Sequence, residues 1–347
     1  MTPRGFHPLR VATVDRLCAD AVAVTFDVPP ELAERYRFRP GQSVTVHRDG
    51  ERRTYSICAP AGGAPRIGVR EVPGGLVSPW IVHRLRAGDL VEVAPPAGTF
   101  TPEPATGGRH VLIAAGSGIT PVLSIAASLL RQAGTEVTLL YGNRRADTVM
   151  FAEELADLKD TYPGRLELVH VLSREPRESE LFSGRLDAGR LRQMLRLLID
   201  VPAVGHWWLC GPYGMVVDAT AVLTEFGVPG SRVHRELFWV DEAPPPPVRP
   251  AESLGPSCDV TVVLDGRKTS VAVPDGVTLL DGAQRARPDL PFACKGGVCG
   301  TCRARVTDGT VVMRRNFALE DGEVTAGFVL TCQSLPTSPK VVIDFDQ

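Results

Sequence analysis

The chain has 347 residues, room for two or three domains, and its 44% apolar content is enough for real cores. With 38 basic against 40 acidic side chains, its net charge of −2 offers no bulk field for nucleic acid or a membrane surface. No apolar run approaches the ~20 residues of a membrane span, and the opening MTPRGFHPLR lacks an apolar signal-peptide core, which points away from an oxidising compartment and toward the cytoplasm.

Residues 1–105 read as short strands broken by Gly and Pro: LRVATVD, VAVTFDV, QSVTVHR, RTYSICA, RIGVREV and LVEVAP. Such a series predicts an antiparallel β-barrel. Two patches in it suit a nucleotide-like ligand. Arg53-Thr54-Tyr55-Ser56 puts an arginine and a phenol on one strand face, one to pair with a phosphate and one to pack on a flat ring. Gly74-Gly75-Leu76-Val77-Ser78 precedes a predicted helix, WIVHRL, and offers an anion site. Plain barrel structure is the alternative for each patch.

Residues 106–240 alternate strand and helix, which predicts a parallel sheet covered on both faces. RHVLIAA leads into Gly116-Ser117-Gly118-Ile119-Thr120-Pro121 and an amphipathic helix, with Thr120 as its N-cap, Pro121 at its first position and Gly134 as its stop. A glycine turn between strand and helix can hold a pyrophosphate, although a tight structural turn explains the same letters. EVTLLYG and LELVHVL are the next strands, and Phe151, Leu155 and Leu158 lie in a helix between them. LRQMLRLL and Met215 to Phe226 are further helices around the strand HWWLC. That strand ends in Cys210-Gly211-Pro212, a second glycine turn at the carboxyl edge where open α/β sheets bind ligands. Ser173-Arg174 and Asn143-Arg144 close two strands there without an acid for a ribose hydroxyl, which favours NADPH and leaves NADH possible.

Asp241 to Ser257, DEAPPPPVRPAESLGPS, reads as a semi-rigid linker. Residues 258–347 then carry two alternating strands around Asp265-Gly266, a β-hairpin signal. A short helix follows from Thr278, a capping residue, to Arg287, stopped by Pro288, and VVIDF is a last strand. Cys294, Cys299 and Cys302 stand in C-x4-C-x2-C, with Cys332 far behind, the spacing of a plant-type [2Fe–2S] site. Gly296, Gly297 and Gly300 let the loop turn tightly and aim N–H groups at the sulfurs. A four-cysteine zinc site is the alternative, but such sites show two short Cys pairs. The tail resembles the plant-type ferredoxin domain, a small α+β fold, over nearly its whole length; Ala293 stands where many members carry Ser. Lys295, Arg303 and Arg305 crowd the loop, either as solvated surface or as a docking patch for an acidic partner. Cys18, Cys58 and Cys258 read as ordinary small residues.

Together these features resemble the ferredoxin–NADP reductase family, in the arrangement of oxygenase reductases with a C-terminal ferredoxin. Arg53, Tyr55 and Ser56 match its flavin motif R-x-Y-S, and Gly75 and Ser78 its pyrophosphate turn. Gly116 to Pro121 and Cys210 to Pro212 match its nicotinamide motifs, Ser173-Arg174-Glu175 its 2′-phosphate motif, and Glu236-Leu237-Phe238 its acidic-aromatic segment near the flavin. The resemblance implies FAD, where the residues alone leave FMN open. It implies catalytic roles for Tyr55, Cys210, Glu236 and Phe238, although simple packing would also explain Cys210. RTYSICAP, VMFAEELADLKD, HVLSRE and GRLD are very similar to a reductase that serves a multisubunit di-iron epoxidase, which implies such an oxygenase component as partner. A flavin is the needed converter between a two-electron hydride donor and a one-electron cluster. The rivals are a reductase for a Rieske oxygenase, steroid hydroxylase or acyl-CoA desaturase, and a non-enzymatic iron–sulfur redox sensor.

Overall fold

The computed structural model describes residues 5–103, 107–239 and 257–347. They form one compact unit, Phe6–Trp239, and a second that holds all of residues 257–347. The expected linker lies outside the described residues except for Ser257, which opens a strand. No helix among the described residues is long and apolar enough to cross a membrane.

Six strands make the first layer: β1 (His7–Cys18), β2 (Ala21–Asp27), β3 (Ser43–Arg48), β4 (Glu51–Ser56), β5 (Arg66–Arg70) and β6 (Leu90–Val93). They are antiparallel in the order β4-β3-β6-β1-β2-β5. A bridge between Ile57 and Ile67 and a bond from Cys58 N–H to Arg66 O (2.7 Å) join the outer two, which closes the sheet toward a barrel. Alternate residues point inward, so Val24, Val44, Val46 and Val93 are fully buried in its core. Helix α1 (Val77–His83) packs beside β5. Val77 and Ser78, expected ahead of this helix, are its first two residues.

The second layer is a parallel sheet of β7 (Gly108–Ala115), β8 (Thr135–Asn143), β9 (Leu166–Leu172), β10 (Val204–Pro212) and β11 (Val233–Trp239), ordered β11-β10-β7-β8-β9. Its helices are α2 (Ile119–Leu129), α3 (Ala152–Thr161), α4 (Ala188–Leu198) and α5 (Tyr213–Glu225). The chain leaves β7 toward β8 and later returns to its other side as β10, so the strand order reverses between β7 and β10. A ligand crevice belongs at the carboxyl end of such a switch point. Thr120 is not the cap of α2. Gly116–Gly118 already form a 3₁₀ turn, the helix begins at Ile119, and the Thr120 hydroxyl donates back to Ser117 O (3.0 Å). Gly134, expected as the helix stop, lies in the turn beyond it at φ +75°. Phe151 is likewise not helical; it is a buried left-handed residue (φ +59°) just before α3.

The two layers of this unit share a core. Ala21, Ala23 and Cys58 of the barrel pack in one cluster with Leu112, Ile119 and Val122 of the sheet. Ser124 donates to Ala59 O (2.6 Å), and Arg66 pairs with Glu154 (2.8 Å) across the same joint. Gly68 admits the close approach: a Cβ there would stand 2.5 Å from Thr120 Cγ2 and 2.8 Å from the Phe151 ring.

The C-terminal unit has β12 (Ser257–Leu264), β13 (Arg267–Pro274), α6 (Leu279–Ala283), β14 (Arg303–Asp308), β15 (Val311–Met313), α7 (Asp321–Thr325), β16 (Phe328–Leu330), β17 (Ser334–Pro336) and β18 (Lys340–Asp344). The main sheet runs β13-β12-β18-β14-β16, and β15 pairs with β17. Asp265 (φ +53°) and Gly266 (φ +68°) make the tight turn of the hairpin, and both N–H groups donate to the Asp346 carboxylate. Thr278 caps α6 as expected, accepting from Asp281 N–H. The helix, however, ends at Ala283 and not at Arg287. Gly282 sits where a Cβ would meet Val273 at 2.7 Å, so α6 is pressed against β13, and the chain leaves in a turn before Pro288.

Candidate active site and cluster site

In the unit Phe6–Trp239 the barrel and the parallel sheet meet over the switch point. Ser56 is the last residue of β4 and points into the joint; its hydroxyl donates to Glu236 Oε2 on β11 (3.2 Å). Cys210, on the neighbouring strand β10 and opposite Glu236 in register, brings its sulfur to 4.0 Å from the same oxygen. Dense surroundings push the Glu236 carboxyl up to about 8, against the pull of the Ser56 hydrogen bond. Burial raises the Cys210 thiol well above its usual range, and the Glu236 charge adds to that. Burial thus favours the neutral form of both groups.

The two glycine turns touch here. A Cβ on Gly118 would stand 2.1 Å from Cys210 O and 2.9 Å from Gly211 Cα. Gly211 in turn lies against Ala115, where a Cβ would come within 3.2 Å of its N. Gly116 takes φ +55°, and its carbonyl accepts from Tyr141 (3.0 Å). Ser117, Ile119 and Pro121 complete the turn and first helical residues, and Pro212 ends β10 beside them. Phe238 follows Glu236 on β11 at the register shift opposite Gly211 and Pro212, and is 36% exposed.

The other expected residues lie elsewhere in the same unit. Tyr55 is half-buried, and burial raises its phenol above the usual range. Thr54 lies within 3.3 Å of the Thr45 hydroxyl. Arg53 is exposed on the strand and pairs with Glu51 (2.7 Å). Ser78 is used in its own turn, where its hydroxyl accepts from Val72 N–H (3.0 Å) next to Gly75. Leu76 projects at 69% exposure, and with Val77 and Gly75 it borders a cleft of about 450 Å³ where Arg48 stacks over Trp80 (4.0 Å). Ser173 N–H donates to Asn143 O and Arg174 N–H to Arg144 O, so the β8 and β9 loops present Arg144 and Arg174 side by side in solvent. Glu175 steadies them by accepting from Ala146 N–H (2.9 Å).

One residue of this site carries no signal in the sequence. Arg70, at the end of β5, donates to Thr148 O, pairs with Asp20 (3.2 Å), and brings Nη1 to 3.3 Å from the Cβ position of Gly116. A barrel cation thus reaches the nucleotide turn. It follows an ordinary apolar strand, and only the fold makes it a partner of Gly116.

In the C-terminal unit the four thiols act on one another chiefly as two pairs, Cys294 with Cys299 and Cys302 with Cys332. The pairs also feel each other, Cys299 acting on Cys302 and Cys294 on Cys332. The Cys299 thiol and the N–H groups of Gly296, Val298 and Cys299 hold Cys294 well below the usual thiol value. Lys295 (φ +51°), Gly297 (φ +81°) and Gly300 (φ +66°) give the loop the left-handed turns that aim those groups inward. Two adjoining thiol pairs fit a bridged two-iron cluster, each pair to one iron. The basic residues of this loop are engaged. Lys295 pairs with Asp281 (2.7 Å), Arg303 pairs with Glu323 (2.9 Å) and stacks on Phe328, and Arg305 donates to Ala326 O. They offer little uncommitted charge for a docking patch.

Both cofactor halves have known counterparts. Residues 262–337 match the 2Fe-2S iron-sulfur cluster binding domain, and residues 112–221 match the oxidoreductase NAD-binding domain. The chain belongs to the ferredoxin–NADP reductase-like family of oxygenase reductases that carry a C-terminal [2Fe–2S] domain, and is an NAD(P)H-dependent oxidoreductase. Among its relatives is one of the subunits of the 1,2-phenylacetyl-CoA epoxidase of Escherichia coli (strain K12), 42% identical over 98% of each chain. Another is the ferredoxin reductase component of 3-ketosteroid-9-alpha-monooxygenase from Rhodococcus rhodochrous, 34% identical over 97% of this chain and 96% of that one. The fold is similar to that of phthalate dioxygenase reductase, a modular structure for electron transfer from pyridine nucleotides to [2Fe-2S], with a TM-score of 0.61 and 25% identity over 98% of both chains.

Proposed function

We propose that this chain is the reductase of a multisubunit di-iron phenylacetyl-CoA epoxidase of phenylacetate breakdown, drawing on NADPH and delivering single electrons through its [2Fe–2S] cluster. FAD, when bound, splits the hydride pair into single electrons. Residues 1–105 hold that flavin, residues 106–240 the nicotinamide nucleotide, and residues 258–347 the cluster, with 241–257 as the joining segment. Arg53, Thr54, Tyr55 and Ser56 would flank the flavin, and Gly75, Leu76, Val77 and Ser78 its phosphates. Gly116, Ser117, Gly118, Ile119, Thr120, Pro121, Gly211 and Pro212 would shape the nicotinamide crevice, with Ser173 and Arg174 at the 2′-phosphate. Cys294, Cys299, Cys302 and Cys332 ligate iron. Cys210, Glu236 and Phe238 close the reacting end, where the Ser56 hydroxyl of the barrel donates to Glu236.

That contact is the observation that carries the reading: a barrel hydroxyl, a carboxyl and a buried thiol converge where two glycine turns meet. The epoxidase is favoured by the 42% identity to the Escherichia coli epoxidase component over nearly the whole chain. A steroid monooxygenase reductase is the second reading, on the 34% relative. Cysteines kept out of disulfides to hold iron suit a reducing compartment such as the cytoplasm. Purified protein would be combined with an epoxidase complex and, separately, with a ketosteroid oxygenase, and NADPH-dependent product measured. Coupled turnover only with the steroid enzyme would replace the first reading; absence of NADPH-driven dye reduction would sink both.

A further inference from the structure

Gln333 follows the last cysteine and belongs to none of the motifs above. Its side chain is wholly buried, at 0% exposure. Nε2 lies 2.8 Å from Lys295 O, 3.0 Å from Cys332 O and 3.7 Å from Cys332 Sγ. Chemistry fixes this orientation, because the amide turned over would set Oε1 against two carbonyl oxygens that can only accept. One amide hydrogen serves Lys295 O; the other is directed between the carbonyl and the sulfur of Cys332. Oε1 has no partner among the described residues. A buried acceptor left unpaired costs about 1–3 kcal/mol, so packing alone does not explain an amide here. Space is kept for it as well. Gly297 stands at φ +81°, and a Cβ on it would come within 3.0 Å of Gln333 Cγ.

A donor aimed at a ligand sulfur stabilises the reduced cluster, which carries one more negative charge, and so raises its potential. We propose that Gln333 is a positioning residue that sets the potential of the cluster, by donating to the Cys332 sulfur while tying the Cys294–Cys299 loop to the fourth ligand through Lys295 O. This rests on the assignment of the four cysteines to a [2Fe–2S] cluster.

The full chain, isolated without oxygen, would be titrated potentiometrically and followed by EPR and visible circular dichroism. Gln333→Leu keeps the bulk and removes the donor. The expected result is a lower midpoint, by about 59 mV for a tenfold change in the reduced-to-oxidised ratio of a one-electron couple, with altered g-values. A cluster with unchanged potential and g-values overturns the proposal. Absence of any [2Fe–2S] spectrum in the unmodified protein would instead sink the cluster assignment. If Gln333→Leu fails to hold iron, unmodified protein labelled with ¹⁵N at the glutamine side chains decides. A labelled nitrogen coupled to the reduced cluster, and still present in Gln284→Ala, supports the role. No coupled side-chain nitrogen, or one lost with Gln284, refutes it.

Discussion

Gly118→Ala is the sharpest test of the crevice. The new methyl carbon would stand 2.1 Å from Cys210 O, 2.5 Å from its carbonyl carbon and 2.9 Å from Gly211 Cα. These are backbone atoms of a central strand and cannot rotate away. A carbon–oxygen contact needs more than 3 Å, so β10 and the turn after β7 must part by about 1 Å. Overpacking of this kind costs about 1–3 kcal/mol. For a unit the size of Phe6–Trp239, with roughly 2–4 °C per kcal/mol, the melting temperature should fall by about 2–12 °C. The kinetic effect should be larger in proportion. Shifting Cys210 and Gly211 by that distance would displace the wall proposed for the nicotinamide, and a 1 Å misplacement costs about 100-fold in rate. The assay is NADPH-driven ferricyanide reduction, with flavin content measured alongside. The barrel keeps its own core, so flavin should stay bound while kcat falls. Wild-type melting together with kcat within twofold would refute the contact and the site drawn around it.

Arg174→Ala should weaken NADPH and spare NADH. A charge-assisted phosphate bond is worth about 1.5–3 kcal/mol, so KM for NADPH should rise at least about tenfold; equal changes for the two nucleotides would remove Arg174 from the 2′-phosphate. Cys299→Ala should abolish the cluster's visible spectrum and oxygenase coupling while flavin-dependent dye reduction persists, because the thiols lie in a separate unit from the crevice. Loss of dye reduction with flavin still bound would contradict that separation. For Glu236 the sign follows from a folded value raised to about 8 from a usual value of 4.5. The folded protein prefers the protonated acid, so this group's contribution to stability is complete below about pH 4.5 and is lost as pH climbs through about 8. Glu236→Gln should melt close to wild type at pH 5 and above it at pH 8.5; an equal difference at both pH values would show that the carboxyl does not titrate in that window.

Much of the fold is legible because its signals are local. Asp265-Gly266 between alternating strands specifies its hairpin, and three cysteines at C-x4-C-x2-C with a distant fourth specify their loop. Strand and helix alternate plainly from β7 to α5. The start of α2 departs from its sequence signal for a local reason too: Thr120 looks like a cap, but Gly116–Gly118 have already begun to wind. What the sequence hides are contacts between distant segments. Ser56 and Glu236 are 180 residues apart, and neither strand marks the other. Arg70 ends an unremarkable strand. Gln333 sits beside a ligand, yet its donor points inward only because Gly297 and the carbonyls of Lys295 and Cys332 surround it.

The division of labour between the two units follows the tolerance of each transfer. Hydride transfer needs reacting atoms held at contact distance, and a barrel and sheet joined loosely would not keep them there. The structure instead fuses them: Ala21, Ala23 and Cys58 lie in the same core as Ile119 and Val122, and Gly68 removes the one Cβ that would hold Thr120 and Phe151 away. Substitutions at this joint should therefore act on kcat even where they touch neither cofactor. The cluster needs its surroundings tuned more than it needs a fused partner. The four thiols proposed to hold it, their N–H donors and Gln333 all lie in the C-terminal unit, so substitutions in that unit's loops should shift its potential.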